Sequence, residues 1–599
     1  RRGEQGVDVT TAFALRLTRP QPGNTVARGR AATDGAKGGA EHGRRHRDGT
    51  GHPWRAHYPE GARHDPLPGH GTVPALFEAA AARFAGRPAI DYAAARLTYA
   101  DLAARVERAA GRLRAAGIGP GDTLGLYLPN TAWHPVLFFA ALRAGARIAH
   151  LSPLDVGRVL AHKLKDAEAV ALATVDLPPM LDAAKALAEA GAAPRVIVCE
   201  EAEWGAEGGL GVPDWAEGWE TLADDGPAPD PVARPDDVAL LQYTGGTTGL
   251  PKGAMLTHGN LTSAVAIYDA WYGDDAEPTP DAAPDVAMCV LPLFHIYALT
   301  TILLRQIDQG SEILIRRRFD AAAAVEDIER RGVTLFAGVP TMWIAVANLP
   351  GIETRDLSSL RLCASGGAPL PVEVGRRFQR LTGIELLGGW GMTETSPAGT
   401  GIPAGAATAK SGTVGVPLPG IEMRIVDHDD PGRELPPGET GEFAIRGPNI
   451  TKGYWNRPDE TAKAFHGDWF LTGDVGYRDA DGFFWLVDRK SDLILSGGFN
   501  VYPQMVEQAI YEHPAVAECL VIGVPDDYRG ESARAYVVLR EGHDPFTLED
   551  LVAFLEGRLG RHEMPRGLEF RETLPRTPVG KLSRKELREE AAAQRGETR

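Results

Sequence analysis

Cysteine is scarce in this chain of 599 residues: there are four, Cys199, Cys289, Cys363 and Cys519, and no two stand at CxxC spacing. That excludes a disulfide framework and a paired-thiolate metal or redox site. It leaves structural roles for all four and fits a reducing cytoplasm. An apolar leader core is not seen near the N-terminus, so no secretory signal is expected. Long uncharged runs are rare. The exception, Val286 to Leu304, has 19 residues without Asp, Glu, Lys or Arg, close to the ~20 that a membrane-spanning helix needs. Pro292 and His295 interrupt it, so it reads as a buried strand, a loop and an apolar helix. Basic residues are in deficit, 63 against 80 acidic, for a net charge of −17. Such a balance argues against nucleic-acid scaffolding, which needs clustered Lys and Arg, and still allows a local anion site. Internal repeats, heptad arrays and a phosphopantetheine-carrier serine motif are absent as well.

What is present is a globular composition, 43% hydrophobic, with 70 Gly and 45 Pro. Many loops are therefore expected, and loops are where sites are built. Residues 1–72 read as a disordered basic tail or as sequence upstream of the true start. Their first 70 positions carry 12 Lys and Arg against 7 Asp and Glu. An Arg-rich transit peptide is the alternative, interrupted by Glu4, Asp8, Asp34, Glu41 and Asp48. From Val73 the apolar spacing of Leu76, Phe77, Ala80, Ala81 and Phe84 predicts a helix. Leu97 to Leu102 reads as a strand turning into a helix; Asp122–Leu128 and Arg195–Cys199 read as strands. Alternating strands and helices imply a parallel α/β sheet. After a Gly- and acid-rich loop from Glu203 to Asp237, Val416–Arg446 breaks into short strand pieces, Glu422–Val426 and Glu442–Arg446, which suggest a small β subdomain. Beyond Asp488 comes a compact βαβ-like unit: helix Val506–Glu512, strands Cys519–Val524 and Ala535–Leu539, helix Leu548–Leu559.

The densest chemical signal is Tyr243-Thr244-Gly245-Gly246-Thr247-Thr248-Gly249-Leu250-Pro251-Lys252-Gly253. It follows the apolar strand Val238–Gln242. Backbone amides of such a loop, with threonine hydroxyls, can converge on phosphate oxygens, and Lys252 adds a point charge. Walker A is excluded, because Gly253 rather than Ser or Thr follows the lysine. Further strings follow in order: Ser365-Gly366-Gly367-Ala368-Pro369-Leu370, Gly388-Gly389-Trp390-Gly391-Met392-Thr393-Glu394-Thr395, Trp469-Phe470-Leu471-Thr472-Gly473-Asp474, Leu486-Val487-Asp488-Arg489-Lys490-Ser491-Asp492, Gly497-Gly498-Phe499-Asn500-Val501-Tyr502-Pro503, and Pro575-Arg576-Thr577-Pro578-Val579-Gly580-Lys581-Leu582-Ser583-Arg584.

Taken together these strings resemble the motifs of the adenylate-forming (AMP-binding) superfamily, acyl-CoA synthetases in particular. The likeness is strongest to bacterial long-chain fatty acid–CoA ligases, with looser similarity over about 75–590. The resemblance implies an α/β fold: a large N-terminal body of α/β subdomains with a small distorted β-barrel (73–487), a hinge (488–491), a small mobile α+β C-terminal lid (492–590) and a tail (591–599). It implies ATP, Mg²⁺ and coenzyme A as cofactor and co-substrates. Thr244, Gly245, Gly246, Thr247, Thr248 and Lys252 would cradle phosphates. Gly367 and Ala368 would pass the adenine, and Trp390 would stack on it in place of the usual tyrosine, keeping the ring face but losing the hydroxyl. Thr393 would bond the α-phosphate, and Glu394 would hold Mg²⁺, a cation that favours carboxylate and phosphate oxygens. Asp474 would accept the ribose hydroxyls and Arg489 would reach ribose or phosphate. Gly497 and Gly498 would border the pantetheine tunnel, and Lys581 would be the catalytic lysine. Ser491 stands where the family's pivot usually has Asp or Lys.

The segment Leu291–Leu299 resembles the family's acyl-site lining, with His295 beside the carboxylate or thioester. No acid stands within it, which disfavours an amino-acid substrate. Apolar neighbours, Ala298–Leu304 and Gly338–Trp343, suit a hydrophobic acyl or aryl chain. The expectation is a fatty acid–CoA ligase acting on a small-molecule carboxylic acid. The alternatives are an aryl- or dicarboxylate-CoA ligase, or a fatty acyl-AMP ligase loading a separate carrier protein. A non-catalytic nucleotide sensor on the same fold is disfavoured by the intact Lys581, Glu394 and Asp474. A cytoplasmic location is expected, and an apolar substrate is compatible with peripheral contact at the inner face of the cell membrane. No nucleic-acid partner is expected.

Overall fold

The computed structural model describes residues 52–66, 68–224, 226–227, 233–244, 251–273, 283–367, 372–489, 492–496, 499–526, 528–576 and 582–597. Two seven-stranded sheets form the body. Strand order in one is Glu217–Gly218, Val196–Cys199, Ala169–Val175, Thr123–Tyr127, Arg147–Leu151, Val238–Thr244, Lys252–Thr257. The other runs Leu386–Gly388, Leu362–Ser365, Leu335–Gly338, Val286–Cys289, Glu312–Ile315, Pro88–Tyr92, Ala95–Thr98. Each is parallel except for its last strand, which turns back antiparallel. Central strands such as Val196–Cys199 and Glu312–Ile315 are buried at every position, as expected when helices cover both faces of a parallel sheet.

Local chemistry starts the helices where the sequence reading puts them. Thr98 closes the strand Ala95–Thr98 and caps the helix Tyr99–Ala115. Its hydroxyl accepts the Asp101 amide while the Asp101 carboxylate accepts the Thr98 amide, a reciprocal box that satisfies two orphan donors. The uncharged run from Val286 resolves into the strand Val286–Cys289, a loop, and a helical stretch from Ile296 whose middle, Leu299–Leu304, is a π-helix. Among the described residues no helix is long and apolar enough to cross a membrane. All four cysteines are buried and free.

The small β subdomain is an antiparallel five-stranded half-barrel: Glu422–Val426, Gly441–Arg446, Trp469–Arg478, with Phe465–His466 and Phe484–Arg489 both on the third strand. Its core joins Phe443, Phe470 and Phe484 to Trp271 and Trp390 of the body. Residues 52–66, placed within the tail by the sequence reading, include anchors in this core. The compact unit begins at His52. Trp54 is buried in the barrel cluster, Tyr58 donates its hydroxyl to the Pro417 carbonyl at 2.8 Å, and the Arg63 amide bonds the Ala270 carbonyl at 2.9 Å. The basic composition around these positions masked a short strap with aromatic anchors. Residues 1–51 lie outside the described residues.

The C-terminal unit has the strand order Phe499–Val501, Ile494–Ser496, Gly530–Leu539, Val516–Asp526, with Gly567–Phe570 parallel to Gly530–Leu539. The expected βαβ-like pairing is corrected here. Val516–Asp526 and Gly530–Leu539 are consecutive antiparallel partners, in register from Asp526 opposite Gly530 to Glu518 opposite Val538, with a bulge before Val516 opposite Leu539. The helix Lys585–Glu597 continues into the segment read as a tail from 591.

Candidate active site

One cleft of about 1830 Å³ opens between the body sheets, the half-barrel and the C-terminal unit. That exceeds the roughly 300–1,000 Å³ of a single small-ligand pocket, so it has room for more than one reactant. Nine expected site residues line it: Thr244, Lys252, His295, Gly367, Trp390, Thr393, Glu394, Asp474 and Arg489. Gly245, Gly246, Thr247, Thr248, Ala368, Gly497, Gly498 and Lys581, with Ser491 at the pivot, lie outside the described residues.

The strands Val238–Thr244 and Lys252–Thr257 form a hairpin with Thr244 opposite Lys252. The two residues therefore stand at the foot of the Gly- and Thr-rich stretch. Lys252 Nζ is 2.5 Å from Glu460 Oε2 and lies over the Tyr454 ring at 4.7 Å. Both members of that ion pair are partly exposed, so it is weak, and an incoming polyphosphate can displace the carboxylate.

Trp390 follows the strand Leu386–Gly388. The backbone folds tightly here, since a side chain on Gly391 would overlap the Pro397 carbonyl. Trp390 packs edge-on against Phe443 and donates its indole N–H to Asp474 Oδ2 at 2.6 Å. The substitution of Trp for the usual tyrosine thus supplies a polar contact, which the sequence reading counted as lost. Asp474 is buried on the strand Trp469–Arg478, directly across from Arg489. Arg489 Nε stands 3.0 Å from Asp474 Oδ1, and the charge of Asp474 is the largest influence raising the Arg489 pKa. A carboxylate has about four acceptor positions, so Asp474 held in this way still has two for a diol. Trp390→Phe keeps a ring face and removes the donor. The KM for ATP is expected to rise about 10-fold, the weight of a hydrogen bond to a charged group, with kcat nearly unchanged. Steady-state kinetics at saturating acid and thiol measures this.

Glu394 lies in the short turn of helix Thr393–Thr395 and is 4% exposed. Tyr454 donates its hydroxyl to Glu394 Oε1 at 2.9 Å. Burial raises the Glu394 pKa above the usual carboxylate range, against the lowering effect of Tyr454. An uncompensated carboxylate costs free energy in such a place, and a bound cation would relieve that. No cluster of three or more His, Cys, Asp or Glu able to hold a metal occurs among the described residues. A single carboxylate working with substrate phosphates suits Mg²⁺, which keeps its waters and rarely takes an all-protein cage. Glu394 therefore fits the group it was expected to hold. Tyr454 and Glu460 were missed in the sequence because each meets its partner only through tertiary folding.

His295 caps the turn Ile296–Ala298, its Nδ1 accepting the Tyr297 amide at 3.3 Å. Just before it, the Phe294 carbonyl accepts from Gln242 Nε2 at 2.9 Å, and Gln242 Oε1 faces His150 Nδ1 at 3.0 Å. Burial lowers the His150 pKa to about 4, so the ring is neutral and donates through Nδ1. This chain of polar contacts fixes the approach to His295. The cleft is also lined by Met288, Ile302, Phe336, Val339 and Ile344, and by Tyr268, Tyr272 and Tyr297.

A nucleoside corner, an anion corner with a buried carboxylate, and an apolar recess in one cleft define a site that can join a carboxylic acid to a nucleotide. Residues 77–455 match the AMP-binding enzyme family and residues 505–581 match the AMP-binding enzyme C-terminal domain. The chain belongs to this family of adenylate-forming acid–CoA ligases. It is 35% identical over 566 residues to a long-chain-fatty-acid–CoA ligase of Bacillus subtilis, covering 90% of this chain and 98% of that one. It is 38% identical over 501 residues to a feruloyl-CoA synthase of an Amycolatopsis species, covering 84% and 95%. The solved o-succinylbenzoate CoA synthetase of Bacillus subtilis, in complex with its acyl-adenylate intermediate, superposes with a TM-score of 0.74 at 29% identity, covering 86% and 97%.

Proposed function

We propose that this chain is an ATP-dependent fatty acid–CoA ligase. In the first step a carboxylate oxygen of the acid attacks the α-phosphorus of ATP. The bond from that phosphorus to the bridging oxygen breaks, and pyrophosphate leaves. In the second step the CoA thiolate attacks the acyl carbon and AMP departs. Both partners of the first step are anions, so its barrier is largely electrostatic. Trp390, Asp474 and Arg489 hold the nucleoside; Thr393 bonds the α-phosphate; Thr244 and Lys252 take the outer phosphates; Lys581 bridges carboxylate and α-phosphate. When bound at Glu394, Mg²⁺ supplies charge neutralisation for the phosphates.

The observation that carries this reading is that one cleft is lined by Trp390 and Asp474, by Glu394 and His295, and by the apolar side chains of Met288, Ile302, Phe336 and Val339. Two curated relatives named as long-chain fatty acid ligases, each about a third identical over most of this chain, add support. The test is an acyl-chain panel assayed for CoA thioester and for CoA-dependent AMP release. Medium- and long-chain fatty acids are expected to give the highest kcat/KM. Absence of pyrophosphate exchange with them, in enzyme that still binds ATP, overturns the proposal. AMP release that needs a carrier protein rather than CoA would make it a fatty acyl-AMP ligase.

A second reading, an aryl-CoA ligase, is favoured by Tyr268, Tyr272 and Tyr297, which line the same cleft. Hydroxycinnamic acids in the same panel discriminate the two.

A further inference from the structure

Asp488, expected at the start of the hinge, has a position that none of the expected nucleotide-binding or catalytic roles explains. It sits near the end of the last barrel strand, Phe484–Arg489, and is 1% exposed. Its Oδ1 accepts the Arg489 amide at 2.7 Å; its Oδ2 accepts the amide of Gln504 at 2.8 Å, across the hinge. Gln504 lies in the first turn of the helix Pro503–Tyr511. The N-cap of that helix, Tyr502, makes no side-chain capping bond, and its first turn has no acidic residue. First-turn amides need acceptors and favour negative charge. The body therefore caps a helix of the C-terminal unit.

A second contact joins the same carboxylate. Arg584 Nη1 is 3.5 Å from Asp488 Oδ1. Arg584 is held from within its own unit, by Glu507 through Nε at 3.1 Å and Nη2 at 2.7 Å and by Asp492 at 2.8 Å; Arg588 reaches Asp492 at 3.0 Å. Asp492, Glu507, Arg584 and Arg588 are thus tied together, and Asp488, on the last barrel strand, faces their node through Arg584. In the present orientation Leu582, Ser583, Lys585 and Glu586 line the cleft that Trp390, Asp474 and Glu394 also line.

We infer that Asp488 is a positioning residue for acyl-adenylate formation: by capping the helix Pro503–Tyr511 and facing Arg584, it holds the C-terminal unit in the orientation of the first step. Turning that unit about the hinge withdraws Gln504 and Arg584 from Asp488 at once, so the contact favours the first step and not the second. The inference rests on the two-step reading of the reaction and of Lys581.

The experiment separates the steps in the full-length protein. Acyl-adenylate formation is followed by ATP–pyrophosphate exchange, and thioester formation from supplied acyl-adenylate and CoA. Asp488→Ala is expected to slow exchange on the order of 10-fold, the weight of a lost helix cap, and to leave thioester formation within about twofold. Asp488→Asn retains an acceptor for the Gln504 amide without the charge toward Arg584, and is expected to fall between. Equal loss in both steps, or no loss in exchange, overturns the inference. If Asp488→Ala does not fold, the same comparison is made on Asp488→Asn, with the same two overturning results. A Lys581→Ala control keeps the readings apart. Exchange that survives in the control removes the reading of Lys581. Exchange lost there but unchanged in Asp488→Ala removes only the role of Asp488.

Discussion

Lys581→Ala is expected to lower acyl-adenylate formation at least ~100-fold, about 2.7 kcal/mol of transition-state stabilisation, while thioester formation from supplied acyl-adenylate stays near the parent rate. The carboxylate and the α-phosphate repel each other, and a cation placed between them acts most strongly as charge builds on the α-phosphate. Two other cations of the cleft are differently committed: Lys252 holds Glu460 and Arg489 holds Asp474. Lys581 lies outside the described residues, but its neighbour Leu582 lines the cleft. Single-turnover assays of each step measure the effect. A loss below about tenfold in the first step would show that the bridging charge comes from elsewhere.

Glu394→Gln is expected to have the next largest effect, a fall of about 100-fold in the first step at low free Mg²⁺, partly recovered at high Mg²⁺. Glutamine keeps the shape and the acceptor for Tyr454 and loses the charge. The same variant is expected to melt higher than the parent without ligands at neutral pH. The reason is the sign of the linkage. Burial raises the folded-state pKa of Glu394 above its unfolded value, so the folded protein binds the proton more tightly. The stability associated with this group is fully present below the unfolded pKa and is lost as pH rises through the folded one. A neutral isostere removes that loss. Proton and cation compete for the same carboxylate, so the Mg²⁺ needed for half-maximal rate is expected to increase as pH falls. Thermal melts and Mg²⁺ titrations at several pH values test both parts. A variant melting below the parent at neutral pH would mean that the ionised carboxylate is stabilised in the fold without a cation.

Much of this was legible in the sequence because the motif residues are local strings and the sheet strands are short apolar runs. Leu97 to Leu102 announced a strand turning into a helix, and Val238–Gln242 an apolar strand, from neighbours alone. What escaped depends on contacts between distant positions. The bond from Trp390 to Asp474 spans 84 residues and that from Tyr454 to Glu394 spans 60. Neither aromatic carries a local mark of its partner. The antiparallel pairing of Val516–Asp526 with Gly530–Leu539 was hidden for another reason. Two apolar runs between helices satisfy either pairing, and only the short connection that leaves Asp526 opposite Gly530 decides it. The strap at 52–66 was lost in the average of a basic segment, where one tryptophan and one tyrosine outweigh many charges.

That strap has a mechanical consequence. Trp54 is wedged into the half-barrel, Tyr58 is tied to Pro417, and the Arg63 amide is tied to the helix His258–Tyr272. Guyed at these points, the half-barrel resists torsion against the sheets. The strand Phe484–Arg489 leaves a stiff mounting when it hands the chain to the C-terminal unit. In the two-step reading, a swing of that unit is then isolated from the nucleoside wall. In that reading Trp390, Asp474 and Arg489 keep their spacing while the C-terminal unit turns, and the adenylate stays clamped as the second reactant arrives.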